Sequence, residues 1–118
     1  MNDERMKRSP PALSVSDESI REIVRRILAV SRPDCVILFG SAASGQMTPD
    51  SDIDLLVLDR EGVDAREEAL CIRRALSDLP FPFDVIVMSR ERFEETRGVI
   101  GGIAWPAARY GRVIYEAA

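Results

Sequence analysis

The stretch Phe39-Gly40-Ser41-Ala42-Ala43-Ser44-Gly45, followed by Asp50-Ser51-Asp52-Ile53-Asp54-Leu55-Leu56-Val57, decides the fold of this chain. It is preceded by an unbroken apolar run, Cys35 to Phe39, of the kind buried on both faces of a sheet. Gly40 and Ser41 close that strand, and a small-residue turn leads to Gly45. Met47 to Ser51 reads as loop, marked by Thr48, Pro49 and Asp50. A second strand, Asp52 to Leu58, opens with alternating carboxylates. Residues i and i+2 of a strand share a face, about 6.6 Å apart, so Asp52 and Asp54 project side by side. Carboxylates set so close are expected to repel unless a cation sits between them. A divalent metal meets that need, and in two-metal phosphoryl-transfer sites ions roughly 3.5–4 Å apart clamp the attacking and leaving oxygens.

The other half of the stretch suits a phosphate. Gly40 lets a bulky anion approach the backbone. Ser41, at a strand-to-helix turn, offers a hydroxyl and a nearby amide, and helix N-termini favour anions. A phosphate cradle facing two metal-binding aspartates is the minimum equipment for a nucleoside triphosphate. A third carboxylate is expected on a neighbouring strand, and Asp84, at the start of Phe83–Met88, is the candidate. There it could share a metal and accept the proton of an attacking hydroxyl. Ile86 and Met88 alternate with Asp84 as Leu56 and Leu58 do with Asp52 and Asp54. Taken singly, each feature has a plain reading: Gly-Ser is common in turns, Asp-x-Asp at strand starts, and Asp84 could be a turn carboxylate. The fixed spacing after a buried strand favours the site.

Outward from this centre, a helix is predicted from about Ser16 to Ser31, capped by Ser14 with Asp17 or by Ser16. Ile20, Ile23, Val24, Ile27 and Leu28 form its apolar stripe, and Pro33 ends it. A second helix is predicted from Val63 to Leu79, with Ala65, Ala69, Ile72 and Leu76 on its apolar face and Pro80 as its stop. Ser89 caps a short polar helix that includes Phe93 and ends near Gly98. Pro106 argues against a continuous helix through Val99 to Ala108. That stretch, with Tyr110, either packs on the sheet or faces a partner. Arg112 to Glu116 is the final element, and Tyr115 is expected to be a strand residue. Alternating helices and short strands give an α/β or α+β domain: a small mixed sheet flanked by helices. Residues 1–13 read as a disordered leader and 14–118 as one domain.

Composition narrows the chemistry. The 118 residues are 46% hydrophobic and 31% charged, enough for one compact core without disulfides. Cys35 and Cys71 read as reduced, buried thiols of a cytoplasmic protein. There is no histidine, which excludes Ser–His–Asp and Cys–His catalysis and HExxH zinc sites. A metal would be held by oxygen alone, pointing to magnesium, manganese or calcium. No apolar run is long enough to span a bilayer. A net charge of −4 argues against a direct electrostatic grip on nucleic acid. The arginine pairs Arg25–Arg26 and Arg73–Arg74 read as solvated helix surface.

The segment from Phe39 to Val57 resembles the MNT-type minimal nucleotidyltransferases of the DNA polymerase β superfamily, whose signature is Gly-Ser, ten residues, then Asp-x-Asp. The likeness extends over nearly the whole chain after the leader, to Gly111-Arg112-Val113-Ile114-Tyr115-Glu116. It implies the nucleotidyltransferase fold, with magnesium (two ions) and ATP or another nucleoside triphosphate at the sheet edge. On this resemblance Asp52, Asp54 and Asp84 hold the metals, Gly40 and Ser41 contact the nucleotide, and Asp84 is the third carboxylate. Many such proteins are antitoxins paired with a small helical HEPN-type RNase, and some are implied to transfer AMP from ATP to a tyrosine of the toxin. One departure stands out: family members commonly carry arginines where this chain has Ala42 and Ser44. Each lost charge-assisted contact is worth roughly 1.5–3 kcal/mol. Arg90 and Arg92, after the third strand, are candidates to replace them.

The leading reading is therefore magnesium-dependent transfer of a nucleoside monophosphate to a hydroxyl acceptor. A domain this small lacks room for an acceptor-binding module, which favours a partner protein over a small molecule and leaves a homo-oligomer open. The alternative is a non-catalytic antitoxin that neutralises a HEPN partner by complex formation. A degenerate nucleotide sensor is a third possibility.

Overall fold

In the computed structural model, residues 15–40, 43, 51–60, 62–99, 102, 107 and 109–117 are described. Ser41, Ala42, Ser44 and the proposed leader lie outside them. The described elements run α1 (Asp17–Val30), β1 (Cys35–Phe39), β2 (Ile53–Asp59), α2 (Ala65–Ala75), β3 (Phe83–Ser89), α3 (Arg90–Thr96) and β4 (Arg112–Glu116). The strands form one mixed sheet in the order β3-β2-β1-β4, with β1 antiparallel to β2 and β4 and β2 parallel to β3. This is the α/β architecture expected from the sequence.

Each element starts where its local chemistry dictates. Ser16 caps α1, its hydroxyl accepting from the Ser19 amide at 3.1 Å, and Asp17 and Glu18 lie in the first turn, where the helix dipole favours negative charge. Ile20, Ile23 and Ile27 are buried, while Val24 and Leu28 sit at the margin of the stripe. Ser89 caps α3 by accepting from the Arg92 amide at 3.0 Å and aims Phe93 into the core.

The second helix is shorter than its apolar periodicity predicts. Asp64 accepts from the amides of Arg66 and Glu67, so the helix begins at Ala65 rather than Val63. Beyond Ala75 the backbone tightens into successive turns, with Ser77 donating to Arg74 and Leu79 to Leu76 before Pro80. Ile72 and Leu76 are buried as expected, but Ala65, the first residue of the helix, is exposed.

Both faces of the sheet are covered. Ile53, Leu55, Val57 and Val85 face α1 and α2, meeting Ile23, Ile27, Ile72 and Leu76. Leu56, Leu58 and Met88 turn to the opposite face with Cys35, Ile37, Phe93 and Ala107. This double coverage accounts for the continuous apolar runs of β1, buried at all five positions, and of β2. Cys35 and Cys71 are free thiols. Cys35 is buried, but Cys71 is only half-buried, because it lies beside the apolar stripe of α2. No described helix is long and apolar enough to cross a membrane.

Candidate active site

Gly40, Asp52, Asp54 and Asp84, four of the candidate site residues, gather at one end of the sheet, where β1 ends and β2 and β3 begin. Phe39, the last residue of β1, lies opposite Asp54, and Asp54 lies opposite Asp84 across the parallel pair. The Ile53 amide donates to the Pro82 carbonyl at 2.8 Å, fixing where the two strands start together. Register thus brings Asp84 beside Asp54, as the alternation of Ile86 and Met88 predicts. Asp52 falls just before β2 rather than within it and is exposed, whereas Asp54 is half-buried.

Gly40 makes the corner. Its φ is +72°, a left-handed conformation that L side chains rarely adopt. The Ala43 amide donates back to the Gly40 carbonyl at 3.1 Å, closing a tight turn. A side chain at residue 40 would also collide with Oδ2 of Asp54. The missing Cβ therefore lets the backbone turn pass directly against the Asp54 carboxylate. Ser41 follows this corner but lies outside the described residues.

The electrostatics are those of converging negative charge. Burial first, then the charges of Asp84 and Asp52, push the Asp54 carboxyl above the usual carboxylate range. Among the described residues no three acidic side chains converge closely enough to form a ready-made metal cage. Asp84 instead has its Oδ1 3.6 Å from Nη2 of Arg73 in α2. The same guanidinium donates to the Val85 carbonyl at 3.4 Å. Arg73 therefore reaches from its helix to β3, the last strand of the sheet on that side. It is not merely solvated surface, and because the contact spans two elements it leaves no local signal in the sequence. Arg90 does not replace the absent turn arginines. It pairs with Glu116 at 3.4 Å and Asp34 at 3.9 Å, at the far end of the strands, roughly 20 Å from Asp84 by strand rise. Arg92 lies beyond it in α3.

The donor chemistry of Asp52, Asp54 and Asp84 suits a hard divalent cation: carboxylate oxygen only, with mutual repulsion that a cation would relieve. Carboxylates brought to one corner of a sheet, behind a glycine turn, are the donor type that metal-assisted phosphoryl transfer requires. The sequence profile of the nucleotidyltransferase domain matches residues 18–103, and the chain belongs to that family, as its resemblance to minimal nucleotidyltransferases implied. No curated protein sequence matches it significantly. Among solved structures, it is similar to a chain of a toxin–antitoxin complex crystallised with AMP-PNP (TM-score 0.54, 19% identity, 83% of this chain and 73% of that one). It is also similar to a proposed nucleotidyltransferase from Sulfolobus solfataricus (TM-score 0.55, 17% identity, 82% and 78%). At these identities both likenesses concern the fold.

Proposed function

We propose that this protein transfers a nucleoside monophosphate, AMP from ATP, to a hydroxyl on a partner protein, the hydroxyl oxygen bonding to the α-phosphorus as the bond to the β-phosphate breaks and pyrophosphate leaves. The observation that carries the reading is the register of Asp54 with Asp84 beneath the Gly40 turn. Family membership supports the reaction class. The nucleotide analogue in the structurally similar toxin–antitoxin complex supports ATP as substrate and a toxin as partner; the HEPN type of that partner rests on the resemblance to minimal nucleotidyltransferases alone. In this reading Gly40 and Ser41 receive the triphosphate, and Asp84 accepts the proton of the acceptor hydroxyl. Asp52, Asp54 and Asp84 would hold magnesium, which would neutralise the charge of the triphosphate. Arg73 holds the Asp84 carboxylate at the edge of the site.

A second reading, neutralisation of the partner by binding alone, is favoured by one observation: Ala42 and Ser44 stand where a triphosphate would gain from cations.

Calorimetric titration of ATP, with and without magnesium, into the wild type and Asp52→Asn/Asp54→Asn tests the nucleotide site. Magnesium-dependent binding by the wild type alone is expected. Absence of binding by a folded wild type sinks it. If partner neutralisation then survives both substitutions, the second reading stands.

A further inference from the structure

At the end of β2 remote from Asp54, the side chain of Asp59 is enclosed by protein. It is 3% exposed, and its Oδ2 has no hydrogen-bond partner. An ionised carboxylate left in this condition would be expensive. Its neighbour is another acid: Glu68, in the first turn of α2, is near enough to raise the Asp59 carboxyl through its charge and through hydrogen bonding, and it accepts a hydrogen bond from Oγ of Ser31, just after α1. Two carboxyl groups can hydrogen-bond to each other only if one of them carries a proton.

The surroundings do not neutralise the pair. Asp34, before β1, adds negative charge, and Arg60, after β2, opposes it only as the smallest influence. Asp34 is itself within 3.9 Å of Arg90 from α3. Ser89, neutral, faces Asp59 from β3. Arg32 lines the same recess as Ser31 and Glu68. Burial, then the Glu68 charge, hold Asp59 protonated up to about 7.

We infer that Asp59 and Glu68 share one proton where the end of β2 meets α2 and the residue following α1, and that its loss loosens α2, forming a pH-sensitive latch. The native state binds this proton more tightly than the unfolded chain, whose carboxyl titrates near 3.8. The latch therefore holds fully below that value, weakens as pH rises, and is lost above about 7.

Thermal unfolding and intrinsic-rate-corrected amide exchange of α2, from pH 5 to 8.5 in EDTA, test the latch in the wild type, Asp59→Asn and Glu68→Gln. The wild-type Tm is expected to fall across this range while α2 amides exchange progressively faster. Both amide variants should flatten the fall, because an amide N–H donates the hydrogen bond without titrating. Equal slopes in all three proteins overturn the proposal. Should either variant fail to fold, carboxyl 13C titration of wild-type Asp59 decides: a midpoint near 7 supports the shared proton, and one near 4 overturns it. An Asp59-dependent rise in Tm with calcium at pH 8 would identify a cation site and overturn it as well.

Discussion

Asp54 and Asp84 stand opposite each other on neighbouring parallel strands, and burial first, then the charge of Asp84, makes Asp54 harder to ionise. A fold that needed only stability would not set two acids side by side at the start of two strands. The repulsion is tolerated because the apolar residues that follow, Leu55 to Leu58 and Val85 to Met88, are fixed in register by the core. The acids have no freedom to separate by strand slippage, since a shift of one residue would turn every apolar side chain to the wrong face.

Asp54→Asn is therefore expected to raise the Tm of the ligand-free protein while abolishing magnesium-dependent ATP binding. With its folded pKa raised, ionised Asp54 opposes folding, so the advantage of the variant should be present at pH 7 and shrink as acid protonates the wild-type carboxyl. Melting curves at pH 7 and pH 4 check both parts.

Gly40→Ala should destabilise by about 1–2 kcal/mol through its left-handed backbone alone, with a further loss from collision with Asp54 Oδ2. The two contributions separate in Gly40→Ala/Asp54→Ala, where the collision disappears and the backbone cost stays. Denaturant unfolding of the single and double variants measures the difference, and a strictly additive result would contradict the close approach.

Arg73→Gln should change stability by less than about 1 kcal/mol, since the pair with Asp84 is half-exposed. Its effect should appear in metal binding. Without the guanidinium beside it, Asp84 is freer to meet a divalent ion, and Mn2+ affinity measured by paramagnetic resonance should rise a few-fold. Arg74→Gln, one residue along the helix, should leave Mn2+ affinity unchanged.

Arg26 ties the two long helices together: it donates to Glu22 within α1 at 2.7 Å, to the Ala75 carbonyl at the end of α2 at 3.1 Å, and to Asp78. Its hydrogen bonds hold the Asp78 carboxyl below the usual range, and those of Arg25 and Arg26 do the same for Glu22. Arg26→Ala is expected to lower Tm at pH 7. The deficit should narrow as pH falls through the depressed carboxyl values, where the wild type also loses these pairs.

What could be read in the sequence was what repeats locally or lies in one short stretch. The apolar run of β1, the Ser16 and Ser89 caps, and the spacing from Gly40 to Asp54 all depend on near neighbours. Asp84 was accessible because alternation along β3 mirrors that of β2. The remainder depends on packing between distant segments. Arg73 looks like solvated surface until α2 is laid beside β3. Asp59 looks like the polar end of an apolar strand until Glu68, on the next helix, arrives beside it. Ala65 fits an apolar helical face by spacing, yet it stands exposed at the first position of the helix.

The order of the strands has a temporal consequence. β1 is formed early in the chain but lies between β2 and β4, and β4 follows every other described element. During synthesis one edge of β1 must remain without its backbone partner until Arg112–Glu116 has left the ribosome. An apolar strand exposed along one edge is prone to pair with a neighbouring chain. A ribosome stalled before β4 would thus hold a nascent chain that already has the Gly40 corner and all three aspartates, but whose central strand is still open to a stranger.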